Sequence, residues 1–318
     1  MFNVLLSAPY MIPFADRFVP ELEANGCRVI VPNVNERMEE ADLLQYAAEI
    51  DGTICGDDRY TRRVIENAPR LKIISKWGTG IDSIDADACR DHGVRIGNTP
   101  NAFTVPVADS VMAYVLSFAR RTPWMDDHMK NGRWEKIAGR SLSECTLGII
   151  GVGNIGSAVA RRAAAFGMTI LGSDIRPVDS NLVADTNMEI VGQDELLRRS
   201  DFVTLHCDLN SSSWHLMSDL QFNVMKPTSV LINTSRGPVV DEAALCRALA
   251  AGRIAGAGLD VFEHEPLPLA SPLRAMDNVL LAPHNSNSSP TAWERVHHNS
   301  IKNLLAGLRE VRRGKRAA

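Results

Sequence analysis

Residues 146–177 read TLGIIGVGNIGSAVARRAAAFGMTILGSDIRP. The stretch predicts strand, tight turn, helix, strand. Leu147, Ile149 and Ile150 form a short apolar run with β-branched members, the pattern of a strand buried on both faces. Gly151, Gly153 and Gly156 follow in G-x-G-x-x-G spacing. Ile155, Val159, Ala163 and Phe166 then recur at helical spacing and give the helix one apolar face. Gly167 stops the helix, Met168 to Gly172 begins a second strand, and Asp174 stands at its carboxyl end.

Each glycine has a physical job in such a turn. Gly151 permits the tight turn, Gly153 lets the backbone approach a pyrophosphate, and Gly156 lets the helix pack close to the strand. The helix N-terminus turns its free N–H groups and partial positive charge toward the phosphates. Asp174 lies about twenty residues beyond the glycines, where a carboxylate bonds both ribose hydroxyls. The same carboxylate repels a 2′-phosphate, so the expected cofactor is NAD.

The chain has 318 residues, room for two domains, with 45% hydrophobic and 23% charged residues. A net charge of −4 carries no electrostatic footprint for nucleic acid. The basic run Arg309 to Arg316 is short and terminal, and reads as a frayed, solvated helix end. Six scattered cysteines without a C-x-x-C pair predict thiols in a reducing cytoplasm, with no metal site. The N-terminus shows no signal-peptide pattern, and no apolar run reaches the length of a membrane span.

Along the first hundred residues, strands are expected at 2–8, 28–31, 51–55 and 71–75, with helices at 16–25, 41–48 and 61–67. That alternation predicts an α/β domain with a parallel sheet covered on both faces. Asn98-Thr-Pro-Asn101 breaks the pattern. A buried helix is expected at 107–120 and a more polar one at 124–137, before the glycine-rich stretch. Beyond it, strands are expected at 202–206, 230–233, 255–260 and 279–282, helices at 195–200 and 242–251, and a closing helix at 291–308.

In doubly wound sheets, ligands bind outside the carboxyl ends of the strands. Four successive strands here end in His206, Arg236, Glu265 and His284. Reducing a 2-keto acid takes a hydride donor, a proton donor and an anchor for the carboxylate. Arg236 can grip carboxylate and carbonyl oxygens in a fork. His284 can give the proton, and Glu265 can hold the imidazole and favour its charged form.

These residues sit in segments that resemble the D-isomer-specific 2-hydroxyacid dehydrogenases, the group that includes D-3-phosphoglycerate dehydrogenase. The matching segments are Gly78-Thr-Gly-Ile-Asp-Ser-Ile-Asp85, Asn98-Thr-Pro100 with Val107-Ala-Asp109, Gly148 to Gly156, Asn233-Thr-Ser-Arg-Gly237, Gly258 to Pro266 and Ala282-Pro-His284. The resemblance implies an α/β fold of two doubly wound parallel-sheet domains. In that fold a Rossmann NAD-binding domain (102–285) is inserted into a flavodoxin-like substrate domain (1–101 and 286–318). It implies a catalytic trio of Arg236, Glu265 and His284, and substrate binding by Lys76, Trp77, Gly78, Thr79, Gly80 and Arg236. It implies cofactor contacts from Gly151, Gly153, Asn154, Ile155, Gly156, Asp174, His206, Cys207, Ser212, Thr234, Ser235, Arg236, Asp260, His284 and Ser286. It also implies a cytoplasmic homodimer formed through the cofactor domain, with a small hydroxy or keto acid as its substrate.

The chain departs from the family pattern in three places. Asn285-Ser-Asn-Ser-Ser289 follows His284, where members often carry a glycine-rich turn. Asp208 stands where many have proline. Phosphoglycerate enzymes often carry an arginine just after the strand that ends here at Cys55, and this chain has Gly56-Asp57-Asp58. The leading expectation is NAD-dependent hydride transfer on a small D-2-hydroxy or 2-keto acid, phosphoglycerate dehydrogenase-like. Two alternatives stand beside it: a hydroxypyruvate or glyoxylate reductase, and an NAD-sensing binding protein of the same fold with little turnover.

Overall fold

The short apolar runs become the strands of two all-parallel sheets in a computed structural model that describes residues 1–314. The chain divides into two compact units. One comprises Met1–Phe103 and the segment from Ser289 onward, the other Thr104–Ser288. The divisions fall within three residues of the domain boundaries the sequence suggests.

The first unit carries β1 (Phe2–Leu6), β2 (Cys27–Ile30), β3 (Gly52–Cys55), β4 (Ile73–Lys76) and β5 (Arg95–Gly97), in the spatial order β2-β1-β3-β4-β5. This is the flavodoxin-like order, and its switch point lies between β1 and β3. The central strands β3 and β4 are buried at every position, as a sheet covered on both faces requires. The helix Pro290–Gly314 supplies part of that cover. Its Ile301, Leu304 and Leu308 are buried, and Ser75 Oγ donates to the Ser300 carbonyl at 2.8 Å. The helix extends beyond the expected 291–308 at both ends. Of the basic run at its end, the Arg309 side chain is described and donates to Asn25 Oδ1. The side chains from residue 311 on lie outside the described part.

The second unit carries β6 (Thr146–Ile150), β7 (Thr169–Ser173), β8 (Glu189–Ile190), β9 (Phe202–Leu205), β10 (Val230–Asn233), β11 (Gly256–Leu259) and β12 (Val279–Leu281). Their order is β12-β11-β10-β9-β6-β7-β8. Counted from β6, that is the Rossmann order 3-2-1-4-5-6 with one added strand. Buried residues collect on both faces. Val111, Val115, Phe118 and Val159 are in one cluster, and Leu197, Phe222, Leu245 and Leu249 in the other. The helix Thr104–Arg120 lies so close to the sheet that a Cβ on Gly258 would come within 2.7 Å of the Tyr114 ring. Among the described residues no helix is long and apolar enough to cross a membrane.

Three differences from the sequence expectation have physical reasons. The strands β5 and β8, of three and two residues, are too short and exposed to show a period. The helices Ala86–Asp91, Ser180–Thr186 and Asp219–Val224 are likewise only one or two turns long and went unread. The helix expected over 124–137 is Thr122–Lys130 instead, because Asn131-Gly132 ends it, with Gly132 at φ +74°.

Candidate active site

The glycine-rich turn is built against two neighbouring strand ends. Gly151 has φ +89°, and a Cβ on it would lie 2.7 Å from the His206 carbonyl carbon. A Cβ on Gly156 would lie 2.2 Å from the Gly151 carbonyl oxygen, so helix and turn meet only through glycine. Gly153 is different. Its φ of −76° suits any residue, and a Cβ there would meet only the Arg176 guanidinium, at 3.9 Å. The protein itself therefore does not require glycine at 153. An approaching pyrophosphate does, and the helix Asn154–Ala165, which starts there, has no side-chain N-cap bond.

Asp174 joins this turn to the next strand. Its Oδ2 accepts the Val152 N–H at 2.7 Å, and its Oδ1 accepts the Arg176 N–H at 2.8 Å. Each oxygen retains a second lone pair, so the carboxylate can still accept two ribose hydroxyls. Of its two exposed neighbours, Ile175 escaped notice in the sequence. Ile175 is 91% exposed, an apolar surface beside Asp174. The exposed Arg176 guanidinium reaches back over Gly153. The signal for Ile175 was a bulky apolar residue directly after the acidic strand end.

The other expected cofactor contacts line the carboxyl ends of β9 to β12. His206 bonds Thr204 Oγ1 through Nε2 at 3.0 Å, and burial pushes its pKa down to about 3, so the ring is neutral. Burial also pushes the Cys207 thiol up to about 11. Ser212 is exposed on a loop that Asn210 holds, since Asn210 Oδ1 accepts both the Ser212 N–H and its hydroxyl. That local bonding shapes the loop where many family members carry proline. The Thr234 hydroxyl is buried without a protein partner. Ser235 gives both its N–H and its hydroxyl to Asn233 Oδ1.

Asp260 takes a role of its own. It is 1% exposed, and its two oxygens accept the N–H groups of Asn285 and Ser286, at 2.7 and 2.9 Å. Its carbonyl accepts the His284 N–H at 2.8 Å. His284 has φ +51°, a conformation that costs a non-glycine residue on the order of 1 kcal/mol or more. Asp260 is thus first the clamp that holds the His284 loop.

The three expected catalytic groups stand on this rim. His284 Nδ1 meets Glu265 Oε2 at 2.9 Å, and Glu265 Oε1 accepts the Phe262 N–H at 2.9 Å. Both side chains are about one-fifth exposed. The carboxylate contact is made through Nδ1 and does not use Nε2. Arg236 leaves β10 on a turn braced by Asn233, whose amide donates to the Arg236 carbonyl. Its Nη1 donates to the Ser235 carbonyl at 2.9 Å.

The expected substrate loop belongs to the first unit. Gly78 is held by Thr99, whose N–H and hydroxyl both donate to its carbonyl, and Thr79 is exposed. Lys76 is 4% exposed, and its ammonium donates to Asp57 Oδ1 at 2.8 Å. Trp77 requires a correction. Its indole is 3% exposed in an aromatic cluster with Tyr10, Phe103 and Trp293, and donates to His297 Nδ1 at 2.9 Å. Its own N–H goes to the Cys55 carbonyl. Trp77 packs the floor of the loop and offers no side-chain group to a ligand. The buried tryptophan is the better partner for an apolar cluster than for a small polar acid.

Comparison with known proteins places these features among relatives. Residues 112–286 match the family model described as D-isomer specific 2-hydroxyacid dehydrogenase, NAD binding domain. A glyoxylate reductase of Korarchaeum cryptofilum is 41% identical over 256 residues, covering 78% of this chain and 76% of that protein. A D-3-phosphoglycerate dehydrogenase of Methanocaldococcus jannaschii is 37% identical over 279 residues, covering 86% of this chain but 51% of that protein. The crystal structure of D-lactate dehydrogenase from Aquifex aeolicus, complexed with NAD and lactic acid, superposes with a TM-score of 0.87 at 27% identity. It covers 97% of this chain and 96% of that one.

The Asp174 geometry predicts how dinucleotide choice responds to substitution. Asp174→Ala would also strip the Val152 N–H of its partner, so Asp174→Asn is the cleaner probe. The unchanged protein is expected to bind NADH more tightly than NADPH. The asparagine variant should narrow that ratio by on the order of tenfold, equivalent to about 1.4 kcal/mol. Fluorescence titration of both dinucleotides reads it, and equal binding by the unchanged protein overturns it.

Proposed function

The chain belongs to the D-isomer-specific 2-hydroxyacid dehydrogenase family, and on that premise we propose that it reduces a small, unphosphorylated 2-keto acid. It is an NAD-dependent oxidoreductase of 2-hydroxy acids. The proposal concerns its substrate and the residues that act on it. We assign cofactor binding to the Thr104–Ser288 unit and the substrate loop to the other. The bound nicotinamide supplies the hydride or takes it back. Arg236 grips the substrate carboxylate and carbonyl oxygens. His284 gives its Nε2 proton to the carbonyl oxygen as that becomes a hydroxyl, and takes it back in the oxidation. Glu265 holds Nδ1 and stabilises the charged ring.

The observation that carries the substrate reading is the Lys76–Asp57 ion pair. A substrate phosphate near the loop would need an unpaired cation, and here the buried ammonium already has its anion. Asp58, the next residue, is buried and bonded to Ser7 Oγ and to the Met38 N–H. Burial raises its pKa to about 6, so it adds further negative charge at neutral pH. A dianionic phosphate is therefore disfavoured, and the glyoxylate and hydroxypyruvate class fits better, in line with the glyoxylate reductase relative.

The finer partner and location readings follow from the surface. The helix Thr122–Lys130 has no buried residue, and Trp134 just beyond it is 87% exposed. An exposed tryptophan on the cofactor unit is what a homodimer would cover. The six cysteines are free thiols, as a cytoplasmic location allows.

Three measurements test these roles. With NADH, glyoxylate and hydroxypyruvate are expected to exceed phosphohydroxypyruvate in kcat/KM by about tenfold or more, and Asp57→Asn should narrow that gap by releasing Lys76. A preference for the phosphorylated acid overturns the substrate reading, and binding of NAD without turnover on any keto acid favours the sensor alternative. In pH–rate profiles, reduction should fall in alkali as His284 loses its proton. Glu265→Gln should move that fall to lower pH, because a neutral partner no longer favours the charged ring. His284→Ala should cost on the order of a hundredfold; a retained rate would remove His284 from the mechanism. Light scattering should give twice the chain mass, and Trp134→Glu should reduce it to one; a monomer at micromolar concentration before substitution excludes the dimer.

A further inference from the structure

Two glutamates on one short segment reach two different histidines. Glu265 goes to His284, while Glu263 Oε1 meets His215 Nε2 at 2.8 Å. His215 lies outside every sequence motif described above. It sits at φ +50° and stacks on Trp214, with ring centroids 4.8 Å apart. Backbone in that region is costly for histidine and persists only where the surroundings enforce it.

The bond joins three segments. His215 and Met217 donate their N–H groups to the carbonyls of Pro238 and Val239, just after Arg236. Glu263 Oε1 also accepts the Glu242 N–H at 3.2 Å, and the Glu263 N–H returns to Glu242 Oε2 at 3.2 Å. The Arg236 turn presses directly on this segment, since a Cβ on Gly237 would fall 1.8 Å from the Phe262 carbonyl oxygen. Phe262 in turn gives its N–H to Glu265. Asp241, Glu242 and Glu263 face His215 or its partner, with His264 and the Arg247 guanidinium nearby. Ligand atoms of His215, Asp241 and Glu263 lie within 4.8 Å of one another. Protein donors already bond to three of the four carboxylate oxygens, however: Asp241 Oδ1 takes the Ala244 N–H, Asp241 Oδ2 takes the Ser218 hydroxyl, and Glu263 Oε1 takes His215 and the Glu242 N–H. The cluster is bonded as a brace.

We propose that His215 and Glu263 are positioning residues for the reaction. Their hydrogen bond fixes the segment Phe262–Glu265 against the Arg236 turn, so that Glu265 meets His284 in the geometry that proton transfer needs. The inference rests on the reading of His284 and Glu265 as the proton-transfer pair. It goes beyond that reading by adding a second imidazole–carboxylate pair which touches neither substrate nor cofactor. A misplacement of about an ångström at such a pair can cost between tenfold and a hundredfold in rate.

The test is a set of pH–rate profiles for keto-acid reduction, with thermal melts to confirm folding. His215→Phe keeps a ring to stack on Trp214 and removes the bond. It is expected to lower kcat about tenfold, leave KM within about twofold, and move the alkaline fall to lower pH, as Glu265→Gln does. His215→Gln, which restores an N–H donor, should recover most of the loss. Combined with Glu265→Gln, His215→Phe should cost less than about twofold, because both act through one contact. An unmoved alkaline fall in His215→Phe, or an equal cost in both backgrounds, overturns the inference. If His215→Phe does not fold, Glu263→Ala breaks the same bond from the other side and is judged by the same outcomes. An unmoved fall in Glu265→Gln itself removes the assignment of the pair, and this inference with it.

Discussion

Every strand in both sheets runs parallel to its neighbours, and that constraint decides where the chemistry can stand. A parallel strand covered on both faces has no place for an unpaired polar side chain, because burying one costs several kcal/mol. The strands β9 and β10 are buried at every position, as are β3 and β4. Polar groups are displaced to the strand ends. Since all strands point one way, the carboxyl ends of one sheet form a single rim. Arg236 follows β10, Asp260 and Glu265 follow β11, and His284 follows β12, so three strand ends bring them to one rim.

On that rim, position is held by carboxylates bonded to backbone N–H groups. Asp174 ties the glycine-rich turn to β7, Asp260 holds the His284 loop, and Glu265 grips its own segment while it meets the imidazole. Charge-assisted bonds of this kind are short and about twice as strong as neutral ones. They can hold His284 and His215 in left-handed conformations that neither would adopt alone. The rim is thus stiffened by carboxylates that tie its loops to backbone N–H groups.

The first unit applies the same economy of charge in reverse. Lys76 is a buried ammonium beside the substrate loop, and Asp57 neutralises it. Removing one member of a buried pair leaves a charge that the interior cannot solvate.

The amino-acid sequence by itself determined what depends on neighbours along the chain. The strand–turn–helix at Thr146–Ser173, the exact extent of β10, the Thr61 cap and the order of strands and helices follow from periodicity, glycine spacing and capping chemistry within a few residues. Residue type and strand-end placement were enough to single out Arg236, Glu265 and His284. The Glu265–His284 pairing was expected from residue type, and the tertiary structure set its 2.9 Å contact. The turn of Trp77 into an aromatic cluster, the Asp260 clamp, the Lys76–Asp57 pair and the His215–Glu263 brace join residues from 19 to 220 positions apart. Such contacts are set by strand register and by the loops that leave each strand end. A single hydrogen bond with an N···O distance near 2.9 Å depends on both, and neither leaves a period in the sequence.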